Sequence, residues 1–355
     1  MGAPVQAGAS DRTEAPAPGA HSTEGAAVAP PRPGDPIPGL YCPAVPEPDA
    51  ATVAEVDARI AEWVAREDVC PPQWRDGLVG FGVGRAVVLQ YPDFATIDHL
   101  MAAAELLAAE NVIDDCYVED FGGSPEGLGA RLVIAQSALD PAHLTSGYDL
   151  DWEKGVQADE ALRSYRTAMR DFAAIATPAQ ADRFRHDMAR LHLGYLAEAT
   201  WKLDGRVPAV WEYLTMRQFN NFRPCLTITD SVAGYELPAE VYARPDVQRA
   251  VALASNATTL VNDLYSYTKE LRMQHPHLNL PLVLLPETGD ARSAYLRAVE
   301  VHNDVMHAFE DDASRLRGRH PQLDRFLDGL AAWVTGNHRW HQTNTDRYTL
   351  PDYWT

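Results

Sequence analysis

The sequence predicts an all-α, single-domain helical bundle, on three observations. Apolar residues recur at helical spacing in one segment after another, capping signals mark several segment starts, and no stretch alternates with the two-residue period of a strand between turn signals. Taken in order, residues 1–38 are Ala, Pro, Gly and polar and hold eight of the 26 prolines. They offer almost nothing to bury, so a disordered extension is expected there, with the folded domain spanning 39–355 and large apolar residues starting at Leu40-Tyr41.

Behind Asp49, ATVAEVDARIAEWVARE carries a helical stripe after a plausible N-cap. Residues 94–117 are expected to form one long Ala/Leu-rich helix that runs into an acidic cluster. Thr177-Pro178-Ala179-Gln180 combines an N-cap, a proline at the first helical position and a capping-box Gln, opening a helix to about Leu203 that Asp204-Gly205 closes. Val207-Pro208 starts the next, expected to continue through Trp211, Met216 and Phe222. Further helices are expected over about 245–272, 290–317 and 321–342, roughly ten in one domain.

With 50 acidic against 30 basic residues, the formal net charge is −20. Nucleic acid is excluded as a partner, because binding its phosphates needs a basic face. An acidic protein that holds an anionic substrate must do so through local Arg/Lys groups or metal ions. The four cysteines, Cys42, Cys70, Cys116 and Cys225, show neither zinc spacing nor a disulfide framework, which points to a reducing cytoplasm. No apolar run reaches the ~20 residues of a membrane span, and the start lacks a basic and then apolar secretory signal.

Two clusters carry chemistry. In Asn111-Val112-Ile113-Asp114-Asp115-Cys116-Tyr117-Val118-Glu119-Asp120, carboxylates end an apolar helix. A solvated helix end is the plain alternative. Acidic groups there oppose the helix dipole, however, and follow a segment apolar enough to lie inside the bundle. Carboxylates at the mouth of an apolar interior suit Mg²⁺, a hard cation that keeps waters and phosphate oxygens as its other ligands. The second cluster, NDLYSYTKE, sets Asn262, Ser266 and Glu270 at i, i+4 and i+8. At 3.6 residues per turn these three oxygen donors fall within roughly 80° on one helix face.

Together the motifs resemble the aspartate-rich motif and NSE triad of the class I terpene synthases, in order and separation, over nearly the whole chain after about residue 40. The resemblance implies an enzyme, a Mg²⁺-dependent cyclase of a prenyl diphosphate using three ions. Asp114 would bridge two of them, with Asp115 and Glu119 as further metal candidates, and Asn262, Ser266 and Glu270 would hold the third. Arg217, about 45 residues before Asn262, matches the family's diphosphate sensor, and Arg347-Tyr348 match its C-terminal Arg–Tyr pair. Lys269 is a further donor to the diphosphate. Those last residues are expected to be loose and to order over the site on binding.

DDCYVED followed by FGGSP, YLTMRQFNNFRPC and NDLYSYTKE narrow the resemblance to the bacterial 2-methylisoborneol synthases and related C11 cyclases. That group uses 2-methylgeranyl diphosphate and forms a bornyl-type skeleton, and its members are often homodimers. Val118 departs from its usual DDCYCED, which leaves 2-methylenebornane formation or a C10 or C15 cyclase as alternatives. A chain-elongating prenyltransferase would carry a second DDxxD motif where NDLYSYTKE stands. A non-enzymatic helical module would leave both motifs as coincidence.

Aromatic faces must shield and stabilise a carbocation. Tyr117, Tyr195, Trp201, Phe219, Phe222, Trp333 and Trp340 lie on helices beside the motifs, and Phe219, Phe222 and Trp333 are the preferred pocket residues. Asn220 and Asn221 fall where the family breaks a helix. His338 and His341, lacking companion ligands, read as ordinary helix residues, and Glu310-Asp311-Asp312 as a solvated face.

Overall fold

The computed structural model describes residues 31–118, 125–272 and 277–354. Among them every regular element is helical and no strand occurs. The principal helices are α1 (Ala50–Glu67), α2 (Val83–Gln90), α3 (Ile97–Ile113), α4 (Leu128–Leu139), α5 (Glu160–Ile175), α6 (Pro178–Asp204), α7 (Val210–Met216), α8 (Pro245–Glu270), α9 (Leu280–Thr288), α10 (Ala291–Leu316) and α11 (Pro321–Thr343).

Local chemistry sets the helix starts. The Thr52 N–H donates to Asp49 Oδ2 at 2.8 Å, capping α1. The expected capping box opens α6, with Thr177 N–H donating to Gln180 Oε1 at 2.9 Å and Gln180 N–H to Thr177 Oγ1 at 3.3 Å. The first-turn prolines of α6, α8 and α11 sit where a missing N–H costs nothing.

The structure corrects several boundaries. Residues 31–351 form one compact unit, in which Ile37 is buried and the Gly34 carbonyl accepts from Gln342 Nε2 at 2.8 Å. Residues 31–38, assigned to the extension on composition, therefore belong to this folded unit; residues 1–30 lie outside the described residues. The helix expected from residue 94 begins at Ile97 behind its Thr96 cap. The helix expected to reach Phe222 stops at Met216, because residues 217–222 turn and only a short helix, Arg223–Leu226, follows. Single-turn helices such as Thr229–Val232 and Ala239–Tyr242 are too short to display a helical period, and were missed for that reason. Asp312 is not on a solvated face: it is buried and accepts from Arg249 Nε at 2.7 Å.

At the centre, α3 is buried almost all round, and its alanines let neighbours approach closely. It packs on α5, α8 packs on α10 and α11, and α2 packs on α11. A Cβ at Gly336 would sit on the Leu89 carbonyl, so α2 and α11 meet backbone to backbone. That approach brings Gln90 Nε2 to 3.3 Å from Asn337 Oδ1. No described helix is long and apolar enough to cross a membrane, and all four cysteines are free thiols.

Glu105 on α3 is buried beside Asp171 of α5. Burial first, and the Asp171 charge second, push its pKa up to about 8. A carboxyl whose folded pKa exceeds its unfolded value of about 4.3 binds more protons when folded, so its contribution to stability falls as pH rises between those two values. Glu105→Gln keeps the neutral form at every pH. Urea denaturation is expected to show the variant gaining on wild type steadily from pH 5 to pH 8; parallel curves would refute the assignment.

Candidate active site

Where α3 ends, the chain winds one π-helical turn, Asp114–Val118. Such a turn takes up an extra residue and re-aims the side chains that follow, a device common at functional sites. Asp114 lines a large open cleft, whereas Asp115 lines an adjoining hollow with Cys70 and Trp74 that shares Phe81, Asn111 and Arg347 with the cleft. Glu119 and Asp120 lie outside the described residues.

The cleft has about 1020 Å³ of non-atom space, continuous with solvent. Asp114, Asn262, Ser266, Glu270, Lys269, Arg217, Arg347 and Tyr348 all line it. Of the described residues assigned from sequence to metal or diphosphate, Asp115 alone lines the adjoining hollow instead. Among the described residues no three His, Cys, Asp or Glu side chains converge as a metal cluster. The oxygen donors on α8 are mixed instead, and each is held. Ser266 Oγ–H donates to the Asn262 carbonyl at 2.7 Å, leaving its lone pairs for another partner. Asn262 Nδ2 lies 3.1 Å from His341 Nε2. Glu270 Oε2 accepts from Asn279 Nδ2 at 2.7 Å, and Asn279 is itself fixed as the N-cap of α9.

Arg217 closes α7 and turns its guanidinium into protein. It pairs with buried Asp263 and donates through Nη1 to the Asn220 carbonyl at 3.2 Å. Burial works against the guanidinium charge, and Asp263 more than restores it, so the group lies above its ordinary pKa. Burial pushes the Asp263 carboxyl up, while Arg217, the Tyr213 hydroxyl at 2.7 Å and the Leu280 N–H at 3.0 Å pull against it. After Arg217 the chain breaks. Asn221 Nδ2 donates to the Arg217 carbonyl, Arg223 N–H to Asn221 Oδ1 (both 2.9 Å), and Asn220 Nδ2 to Glu198 at 2.7 Å. Side-chain bonds of this kind compete with helix continuation.

A family model for terpene synthase family 2, C-terminal metal binding, matches residues 105–308. The chain is 58% identical over 332 residues to the 2-methylisoborneol synthase of Streptomyces ambofaciens, covering 92% of this chain and 76% of that one. It is 57% identical over 335 residues to the 2-methylisoborneol synthase of Streptomyces coelicolor, covering 93% and 76% respectively. The crystal structure of 2-methylisoborneol synthase from Streptomyces coelicolor A3(2) in complex with Mg²⁺ and 2-fluoroneryl diphosphate matches with a TM-score of 0.88 at 56% identity, covering 90% of this chain and 100% of that one. The chain belongs to the class I terpene synthases.

The aromatic wall of the synthase departs from expectation. Phe222 lines the cleft. Trp333 is fully buried behind it, 5.6 Å between ring centroids, and supports the wall without forming it. Phe219 lies under the Arg190 guanidinium, 4.5 Å from its ring centroid, and does not line the cleft. Three residues apart on a helix, Phe219 and Phe222 would share a face; the break at 217–222 parts them. Trp340 and Tyr195 line the cleft, whereas Tyr117 is tied to Asp159 at 2.8 Å and Trp201 borders another hollow.

Sequence reasoning passed over Phe81, which packs 4.6 Å from Trp340 and lies 5.1 Å under Arg347. It also passed over Glu110, which accepts from the Tyr195 hydroxyl and was visible as the residue one turn before Asp114. His341 is not an ordinary helix residue: it lines the cleft, and burial lowers its pKa to about 3, keeping the ring neutral. The Arg–Tyr segment is docked in this structure, since Tyr348 is buried between Trp340 and His341 and accepts from Arg347 Nε at 3.1 Å.

A Cβ at Gly194 of α6 would sit on the Asn220 backbone nitrogen, so only glycine lets the break rest against α6. Gly194→Ala is expected to displace residues 217–222 and lower kcat by about tenfold or more with helicity retained. Diphosphate-release kinetics and far-UV circular dichroism check this, and unchanged turnover would refute it.

Proposed function

We propose that the synthase ionises 2-methylgeranyl diphosphate in a Mg²⁺-dependent reaction and cyclises the cation to 2-methylisoborneol, releasing inorganic diphosphate. What carries this reading is the single cleft that gathers Asp114, the Asn262–Ser266–Glu270 triad and the cations Arg217, Lys269 and Arg347. Identity of 57–58% to synthases named for that product supports the skeleton.

The donor set fits Mg²⁺: an amide, a hydroxyl and a carboxylate, all oxygen donors, on one helix face, with the hydroxyl proton already committed to a backbone carbonyl. Three ions are proposed: Asn262, Ser266 and Glu270 would hold one and Asp114 would ligate the others, with Asp115 and Glu119 as the further carboxylates assigned from sequence. Bound Mg²⁺ supplies electrostatic neutralisation of the departing diphosphate. Once diphosphate and Mg²⁺ bind, Arg217, Lys269 and Arg347 would turn N–H donors, and Tyr348 its hydroxyl, to the same oxygens. Phe81, Tyr195, Phe222 and Trp340 line the cleft, where a ring face turned to the cation would be worth about 1–2 kcal/mol when desolvated and the rings would keep water from early intermediates. Val118 ends the π-helical turn and has no donor atom, so it leaves ionisation untouched.

Water capture gives the alcohol, whereas proton loss gives 2-methylenebornane. The 57–58% identity to synthases named for the alcohol favours water capture. Two amides line the cleft beside each other: Asn337 Nδ2 donates to the Thr258 carbonyl at 3.3 Å, so its oxygen faces Gln90 Nε2.

Incubation with C10, C11 and C15 diphosphates and Mg²⁺, followed by mass spectrometry of volatiles, is expected to give 2-methylisoborneol from the C11 substrate as the dominant product. A dominant C11 olefin or C15 product would replace this reading. Asp114→Asn is expected to lower turnover by about 100-fold or more with an unshifted melting curve; wild-type turnover by the folded variant would remove Asp114 from the metal site.

A further inference from the structure

One imidazole joins two parts of the site that lie far apart in the chain. His341 Nδ1 is 2.8 Å from the Asn337 backbone carbonyl, which can only accept, so Nδ1 carries the proton. Nε2 is then the lone-pair nitrogen, and Asn262 Nδ2 donates to it at 3.1 Å. With its amino group used there, the Asn262 amide must present Oδ1 elsewhere. The reversed amide would set two lone pairs against each other. The face of the same ring stacks on Tyr348, 5.1 Å between centroids and 26° between planes, and Tyr348 accepts from Arg347.

We propose that His341 is a positioning residue that fixes the Asn262 amide with its oxygen available to the metal and, through its stacked face, ties that orientation to the docked Arg347–Tyr348 segment. This rests on the reading of Asn262 as a metal ligand. The chemical need is specific. A side-chain amide turned by 180° offers N–H groups to a cation, so a triad containing asparagine requires a group that determines the turn. A ring that only filled space would meet Tyr348 equally well with no nitrogen facing Asn262.

The test is calorimetric titration of Mg²⁺ into the enzyme with inorganic diphosphate present, for wild type, Asn262→Ala, His341→Phe and His341→Gln, with melting curves alongside. Phe keeps a ring against Tyr348 but has no acceptor; Gln offers an acceptor but no ring. His341→Phe is expected to weaken Mg²⁺ binding by about 10- to 100-fold, the usual effect of losing a group that orients a metal ligand, and His341→Gln to recover most of it. Hydrogen exchange at residues 344–351 is expected to follow the opposite order, faster in His341→Gln than in His341→Phe. Wild-type Mg²⁺ affinity in His341→Phe, with Asn262→Ala weakened, overturns the proposal alone. Wild-type affinity in Asn262→Ala overturns the metal reading beneath it. Should either His341 variant fail to fold, ¹⁵N spectra of wild type with Mg²⁺ and diphosphate decide: the Nδ1–H tautomer supports the proposal and the Nε2–H tautomer overturns it.

Discussion

Asp263 places a buried negative charge where α7, α8 and the start of α9 meet. It follows Asn262 directly, so its side chain turns about 100° away from the triad face and into protein. There it collects the Arg217 guanidinium, the Tyr213 hydroxyl and the Leu280 N–H. Arg217 and Tyr213 come from the end of α7 and Leu280 from the first turn of α9, so one carboxylate ties both elements to α8. Removing one partner of a buried ion pair costs roughly 3–5 kcal/mol, because the other charge is stranded. Through Asp263, the helix that carries the triad and the segment that carries Arg217 are held in one register.

The acidic balance of the chain takes on meaning in this setting. Several arginines are committed to internal carboxylates: Arg223 donates to Asp187 at 2.7 Å, and Arg183 pairs with Asp230, both largely buried. These pairs brace the wall formed by α6 and the broken segment after Arg217. Arg217, Lys269 and Arg347 line the cleft together with the carboxylates of Glu110, Asp114, Glu198 and Glu270. A polyanion entering this cleft meets both signs of charge, so its binding depends on added metal as well as on the protein.

What the sequence displayed was whatever depends on spacing along one element. Asn262, Ser266 and Glu270 could be placed on a common face because i, i+4 and i+8 have one geometric meaning on a helix, and Thr177 with Gln180 because a capping box is closed within four residues. Arg217 and the Arg347–Tyr348 pair were found through resemblance, and the cleft gathers both. Phe219 and Phe222 were paired by a helical rule that the break between them cancels. Asp263, Asn279, Phe81 and His341 act across separations of 9 to 266 residues. Nothing in their immediate neighbours distinguishes them from residues that only fill space.

The π-helical turn at Asp114–Val118 has an implication for how this site can vary. It holds one residue more than an α-helical path of the same span would need. Shortening the segment by one residue would restore regular hydrogen bonding, so the change favours the helix locally. It would also rotate everything after the deletion by about 100° relative to α3, changing where the chain that follows Asp114 is aimed. Local stability and the site therefore pull in opposite directions at this turn, and a shortened protein could fold well yet lose its chemistry. Length, rather than residue type alone, is the quantity this stretch of chain has to preserve.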